Sequence, residues 1–98
     1  MSSLDGEILA EVAASLGRSG RALESALVDL EAHDEAHRDF RENGDRQRLL
    51  QVAADRAWAL FVQFELAGLS TQTQLEKRYR IPHDVLMRVG IRKADPKR

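Results

Sequence analysis

The chain contains no cysteine, so a disulfide framework, a thiolate metal site and a cysteine nucleophile are all excluded. Only two prolines occur, Pro82 and Pro96, and everything before Pro82 is free of the strongest helix breaker. Aromatic residues make up 5% of the chain: Phe40, Trp58, Phe61, Phe64 and Tyr79. A core must therefore be mostly aliphatic. No alternating run of Val, Ile or Thr reaches strand length, which leaves helices as the expected element. The longest unbroken apolar run, residues 57–62, is far short of the about 20 residues that span a bilayer. Residues 1–7 lack the basic-then-apolar layout of a signal peptide, so a cytoplasmic location is expected. Neither sign of charge dominates. Fifteen basic and sixteen acidic residues leave a net charge of -1, which excludes a basic nucleic-acid coat and a polyacidic tail.

The remainder describes a folded helical protein. The 98 residues are 43% apolar and 32% charged, enough for one domain, expected over residues 1–91 with a basic tail at 92–98. A first helix is expected from Leu4 to His37, capped by Ser2 or Ser3. Its leucines, Leu9, Leu16, Leu23 and Leu30, recur every seven residues, with Ala13, Gly20 and Leu27 in the intervening seam. Gly17 and Gly20 each cost about 1 kcal/mol against alanine in a helix. The leucine phase passes through them without slipping, so one continuous helix is expected. Ala13, Gly17 and Gly20 share a face, read either as a kink or as a groove where another helix comes close.

A second helix is expected from an N-cap at Asp45 to Leu66 or Ala67, with Gly68 as the left-handed stop and Leu69 folding back on Phe64. Its apolar residues form two stripes, one through Leu50, Ala53, Ala57, Leu60, Phe61 and Phe64, the other through Ala54, Trp58 and Val62. Thr71 and Gln74 have capping-box spacing and open a third, short helix that ends near Tyr79. Pro82 suits the start of a fourth, carrying Val85, Leu86 and Val89 and ended by Gly90, with Ile91 packing back on Leu86.

A helix of about 30 residues is roughly 45 Å long, against a radius of gyration near 13 Å for a compact chain of this size. Its own chain is therefore not expected to wrap it, and one helical hairpin leaves the Trp58 face and part of the leucine seam open. The expected architecture is all-α: a long antiparallel helical hairpin plus two short C-terminal helices, paired as a four-helix-bundle homodimer. Leu9, Leu16, Leu23, Leu30, Trp58, Phe61 and Phe64 are the expected packing and dimer residues.

His33 and His37 lie one helical turn apart and could chelate a metal, but a zinc-protease helix needs glutamate directly after the first histidine, where Asp34 stands. No third ligand can be assigned, so no metal, cofactor or catalytic residue is expected. Glu65 near a helix C-terminus calls for a cationic partner, with Arg78, Arg80 or Arg88 as candidates. A polar site with Trp58, Tyr79 and His83 is the functional alternative there. The C-terminal quarter is basic, and Leu75, Ile81, Leu86 and Val89 fit a helix-turn-helix rhythm over residues 71–92. Glu76 and Arg80 depart from that motif where a small residue and a glycine are usual. The alternative function is thus a DNA-binding regulator with Arg80, His83, Arg88 and Arg92 as contacts. The same basic end could instead dock on the acidic first helix of a partner subunit.

The stretch Trp58-Ala-Leu-Phe-Val-Gln63-Phe-Glu65-Leu-Ala-Gly68-Leu69, with Tyr79-Arg80-Ile81-Pro82 and Met87-Arg88-Val89-Gly90, resembles a family of small all-helical bacterial proteins of unknown function. The resemblance implies a bacterial, cytoplasmic protein and carries no site residue over. The residues themselves favour a non-enzymatic structural or protein-interaction module whose partner is a second copy. No membrane and no small-molecule substrate are implied.

Overall fold

A computed structural model of the chain describes residues 3–40 and 43–94, and the side chains of 5–40 and 43–90. Those residues form four helices: α1 (Ser3–Ala36), α2 (Gly44–Leu66), α3 (Gln72–Tyr79) and α4 (His83–Ala94), with no strand among them. α1 runs unbroken through Gly17 and Gly20, as the leucine phase requires. Gly20 is the small-residue site that matters. It is buried against Tyr79 of α3, and a Cβ there would collide with the phenol oxygen and lie 3.2 Å from Cζ. What comes close at this groove is an aromatic side chain of the same chain.

The helix ends follow local chemistry. Asn43, not Asp45, caps α2: its backbone is extended and its side chain accepts from the Arg46 N–H at 2.8 Å. Asp45 falls inside the first turn, where its charge suits the positive end of the helix. α2 stops at Gly68, which adopts φ 70°, while the Leu69 N–H reaches the Phe64 carbonyl and the Gly68 N–H reaches that of Glu65, each at 3.0 Å. The backbone turn is the expected one, but the Leu69 side chain stays exposed. α3 opens on the complete Thr71–Gln74 capping box. It closes with the same pair of backbone bonds as α2, Ile81 to Glu76 and Arg80 to Lys77, with Arg80 at φ 52° in the place Gly68 holds in the other. The Pro82 carbonyl takes the first bond of α4, from Leu86. α4 then continues through Gly90 to Ala94, so Gly90 is not its stop. The expected Ile91–Leu86 contact, the Ser2 cap and the tail from Asp95 onward lie outside the described residues.

α1 and α2 pack in opposite directions. Ser19 Oγ donates to Gln63 Oε1 at 2.9 Å, Arg56 donates to the Ala22 carbonyl at 3.0 Å, and Arg46 meets Asp34. α4 packs on α2 and contributes the fully buried Val85 and Val89, and α3 adds Leu75. These short helices supply the cover that a second chain was expected to give. Leu16, Leu23, Leu30, Phe61 and Phe64 are all buried within one chain, and Trp58 is half-buried against the same core. The premise that one chain cannot shelter this seam is therefore corrected. Periodicity marks a face as covered without saying which element covers it. Leu9 alone of the seven stays open, at 64% exposure.

The molecule is elongated, 58 × 34 × 20 Å with a radius of gyration of 15.7 Å. Its long axis follows from unequal helix lengths. α1 has 34 residues and α2 has 23. In the observed pairing, Leu66 at the end of α2 falls opposite about residue 15 of α1. Residues 5–14, before that point, are all exposed.

Candidate functional site

Two places carry unusual physics, one at each end of α1. At its C-terminal end the last turns of α1 meet the first turns of α2 and α4 around Arg46. Arg46 is buried, its side chain 6% exposed. Nε donates to Asp34 Oδ1 at 2.7 Å and Nη2 to Asp34 Oδ2 at 3.0 Å, a two-point clamp, and Nη2 also donates to Asp84 Oδ2 at 2.6 Å. The Asp34 hydrogen bonds foremost, then those of Asp84, push the guanidinium pKa up, and burial opposes them without prevailing. One cation thus ties three helices together. Beside it the His33 and His37 rings stack at 4.3 Å, the His37 Nδ1 sits 2.9 Å from the His33 carbonyl, and the His33 Nδ1 lies 3.4 Å from Asp34. The buried His33 Nε2 has no hydrogen-bond partner among the described residues. The two histidines are occupied by stacking and helix-end contacts, and among the described residues no group of three or more metal-ligating side chains gathers.

An open groove of about 670 Å³ adjoins this centre, between α1 and the α3–α4 turn. Leu27, Val28 and Leu30 supply its apolar part, and Tyr79, Arg80 and Pro82 its opposite wall. Its charged lining is mixed in sign, with Glu31, Asp34, Glu35 and Asp84 against Arg38, Arg46 and Arg80. Nothing in that arrangement aims a nucleophile, or a general acid with a base, at a common point.

At the other end, every residue from 5 to 14 is exposed. Ile8, Leu9 and Val12 show 53%, 64% and 39% of their surface. At about 100° per residue, Leu9, Val12, Ala13 and Leu16 fall in one stripe about 100° wide, which also holds Asp5, with Glu7, Glu11 and Arg18 on the far side. From Leu16 onward this stripe is the one that packs on α2. The apolar seam therefore continues back to Leu9, about two turns past the end of its partner helix.

The residues singled out in the sequence scatter. Arg80 and His83 are exposed, but Arg88 is held by Gln51 at 3.2 Å and by Gln47, both on α2. The Arg92 side chain lies outside the described residues, so the four proposed nucleic-acid contacts do not form one described surface. Glu65 is exposed and forms no ion pair among the described residues, whereas Arg78 reaches Ser70 at 3.2 Å. No hydrogen bond or ion pair among the described residues joins Glu65, Tyr79 and His83. Arg46 was missed altogether. A signal was present: a basic residue in the first turn of a helix faces the positive end of the dipole and calls for an anionic partner.

A small all-helical protein with a closed core, an internal ion-pair clamp and a projecting helix end is the class these features define. The chain belongs to a family of unknown function, DUF6665, whose model matches residues 1–97. No curated protein and no solved structure matches it. Among the described residues, no helix is long and apolar enough to cross a membrane.

Proposed function

We propose that this chain is a non-enzymatic structural module that self-associates through its long first helix. The observation that carries the reading is the exposed end of α1, where Leu9 and Val12 continue the seam that is buried at Leu16, Leu23 and Leu30, with Ile8 exposed beside it. An isolated helix of about 12 residues is marginal in water, so a stable projection of this length needs a surface to lie on. Apolar residues repeated on one face of it are what such a surface would bury. The seam from Leu16 to Leu30 is already used within the chain. Self-association is accordingly assigned to the projection and not to a bundle running the whole length of α1.

The charged groups favour the same reading. Arg46, Asp34 and Asp84 satisfy one another, and Arg88 is engaged by α2. They act as struts between helices and leave no poised acid–base pair. Sedimentation velocity from low micromolar to submillimolar concentration tests the proposal. The expected result is a mass that rises from 11.0 kDa toward twice that value. A mass fixed at the monomer value would refute it. Salt-sensitive binding to duplex DNA by the same monomer would favour the basic C-terminal helices as the working surface instead.

A further inference from the structure

We infer that Asn43 is a site of slow self-modification: its side-chain amide is lost through attack by the Gly44 backbone nitrogen, and the cap of α2 sets the rate. Asn43 is the only asparagine in the chain, and glycine follows it. A side chain on the following residue crowds such an attack, and glycine has none. Gly44 is exposed, and a Cβ placed there would meet nothing within 4 Å. Its N–H heads α2, where no carbonyl one turn earlier in the helix can accept it. Base from solvent can therefore remove that proton.

The chemistry balances with water as the only co-reactant. The deprotonated Gly44 nitrogen adds to Asn43 Cγ, the bond from Cγ to Nδ2 breaks, and Nδ2 leaves as ammonia after taking a proton from water. A cyclic imide remains. Water then opens the ring at either carbonyl. One opening gives aspartate at position 43. The other gives isoaspartate, in which the main chain runs through Cγ.

The fold restrains this reaction and is changed by it. Asn43 Oδ1 accepts from the Arg46 N–H at 2.8 Å, and Nδ2 donates to the Phe40 carbonyl at 3.3 Å. Ring closure removes Nδ2 and draws Oδ1 away from Arg46, so it proceeds when the first turn of α2 frays. That turn carries Arg46, whose side chain ties α2 to Asp34 of α1 and Asp84 of α4. Aspartate keeps an acceptor for the cap, and its charge suits the positive end of the helix. Isoaspartate adds a main-chain atom ahead of α2, and the cap bond to Arg46 is lost. The site is a one-way change in how α2 begins, timed by the opening of its first turn.

The wild-type chain is held in mildly alkaline buffer at physiological temperature, native and unfolded in guanidinium chloride, and peptide mapping by mass spectrometry follows position 43. Both products are expected. The native chain should react about fivefold more slowly than the unfolded one, the equilibrium equivalent of a single cap. Gly44→Ala, whose methyl has room, should slow the unfolded reaction by about tenfold. Arg46→Met should speed the native reaction. Aspartate with no isoaspartate, or a Gly44→Ala chain as fast as wild type, would overturn the cyclic route. Equal rates in the native and unfolded chains, or an Arg46→Met rate no higher than wild type, would overturn control by the cap. An Asn43 that stays intact in the native chain over many half-lives of the unfolded one would overturn the site itself.

Discussion

Removing the Arg46 side chain should be among the more damaging single changes available outside the apolar core. Arg46→Met keeps most of the volume and deletes the charge, leaving Asp34 and Asp84 converging on an uncharged side chain. Breaking a fully buried ion pair on one side costs about 3–5 kcal/mol. The carboxylates are not equally enclosed, however, with side-chain exposures of 21% for Asp34 and 42% for Asp84. Water can recover part of their hydration, so a loss of about 2–3 kcal/mol is expected. For a chain of this size that lowers the melting temperature by roughly 10–20 °C. Asp84→Asn, which removes the more exposed partner, should cost only about 1 kcal/mol. Adding Asp34→Asn and Asp84→Asn to Arg46→Met should restore most of the loss, because no uncompensated charge then remains. The sign of the pH dependence also follows. A guanidinium whose folded pKa is raised above its ordinary value stabilises the fold fully below that ordinary value and loses the contribution only at more alkaline pH. The Arg46→Met deficit should therefore be level from neutral pH to mildly alkaline pH. Thermal melts of the wild type and these three variants supply the measurement. An Arg46→Met protein as stable as wild type, or a triple variant no better than Arg46→Met, would refute the reasoning.

The other predictions separate the inside of the molecule from its projecting end. Leu23 is fully buried, so Leu23→Asp adds a buried charge to a cavity loss of about 2–5 kcal/mol and should abolish the cooperative melt. Leu9→Glu, at an exposed site, should leave the melt of the dilute monomer within about 0.5 kcal/mol of wild type and abolish self-association in sedimentation. Gly20→Ala should destabilise by about 1–2 kcal/mol because its methyl meets the Tyr79 ring, and in a Tyr79→Ser background the same change should become stabilising by up to about 1 kcal/mol. A double-mutant cycle reads that reversal, and equal effects in both backgrounds would deny the contact. Arg80→Gly should stabilise by up to about 1 kcal/mol, since φ 52° is strained for any side chain, and denaturant unfolding would show it as a higher midpoint.

Much of the fold is legible in the sequence because helix ends are decided locally. The Thr71–Gln74 box, the stop at Gly68 and the unbroken leucine phase through Gly17 and Gly20 each depend on residues within a turn or two. Two readings of the same local kind went astray. Asn43 and Asp45 are both good acceptors, and Asn43 takes the cap because its backbone is the extended one and its side chain reaches the Arg46 N–H, which leaves Asp45 inside the first turn. Gly90 was read as a stop, yet a glycine inside a helix costs only about 1 kcal/mol, and α4 absorbs it as α1 absorbs Gly17. Non-local choices were harder. The two stripes of α2 said that two neighbours exist, but whether α4 or a second chain supplies the other is settled by how the α3–α4 segment turns at Arg80 and Pro82. Because α4 folds back, Leu16, Leu23, Leu30, Phe61 and Phe64 became intrachain core, and the open seam shrank to the end of α1. The Arg46 centre joins residues 12 and 38 positions apart from it, a convergence that no spacing rule encodes.

Hydrogen exchange of individual amides, followed at low and high protein concentration, bears most directly on the idea that only the projecting end of α1 is left for a second copy. The account predicts that amides of residues 5–14 exchange freely in dilute solution and become protected as concentration rises, while those of residues 16–36 are equally protected at both. Loss of protection across residues 16–36 on dilution, or exchange at residues 5–14 that never changes with concentration, would contradict it.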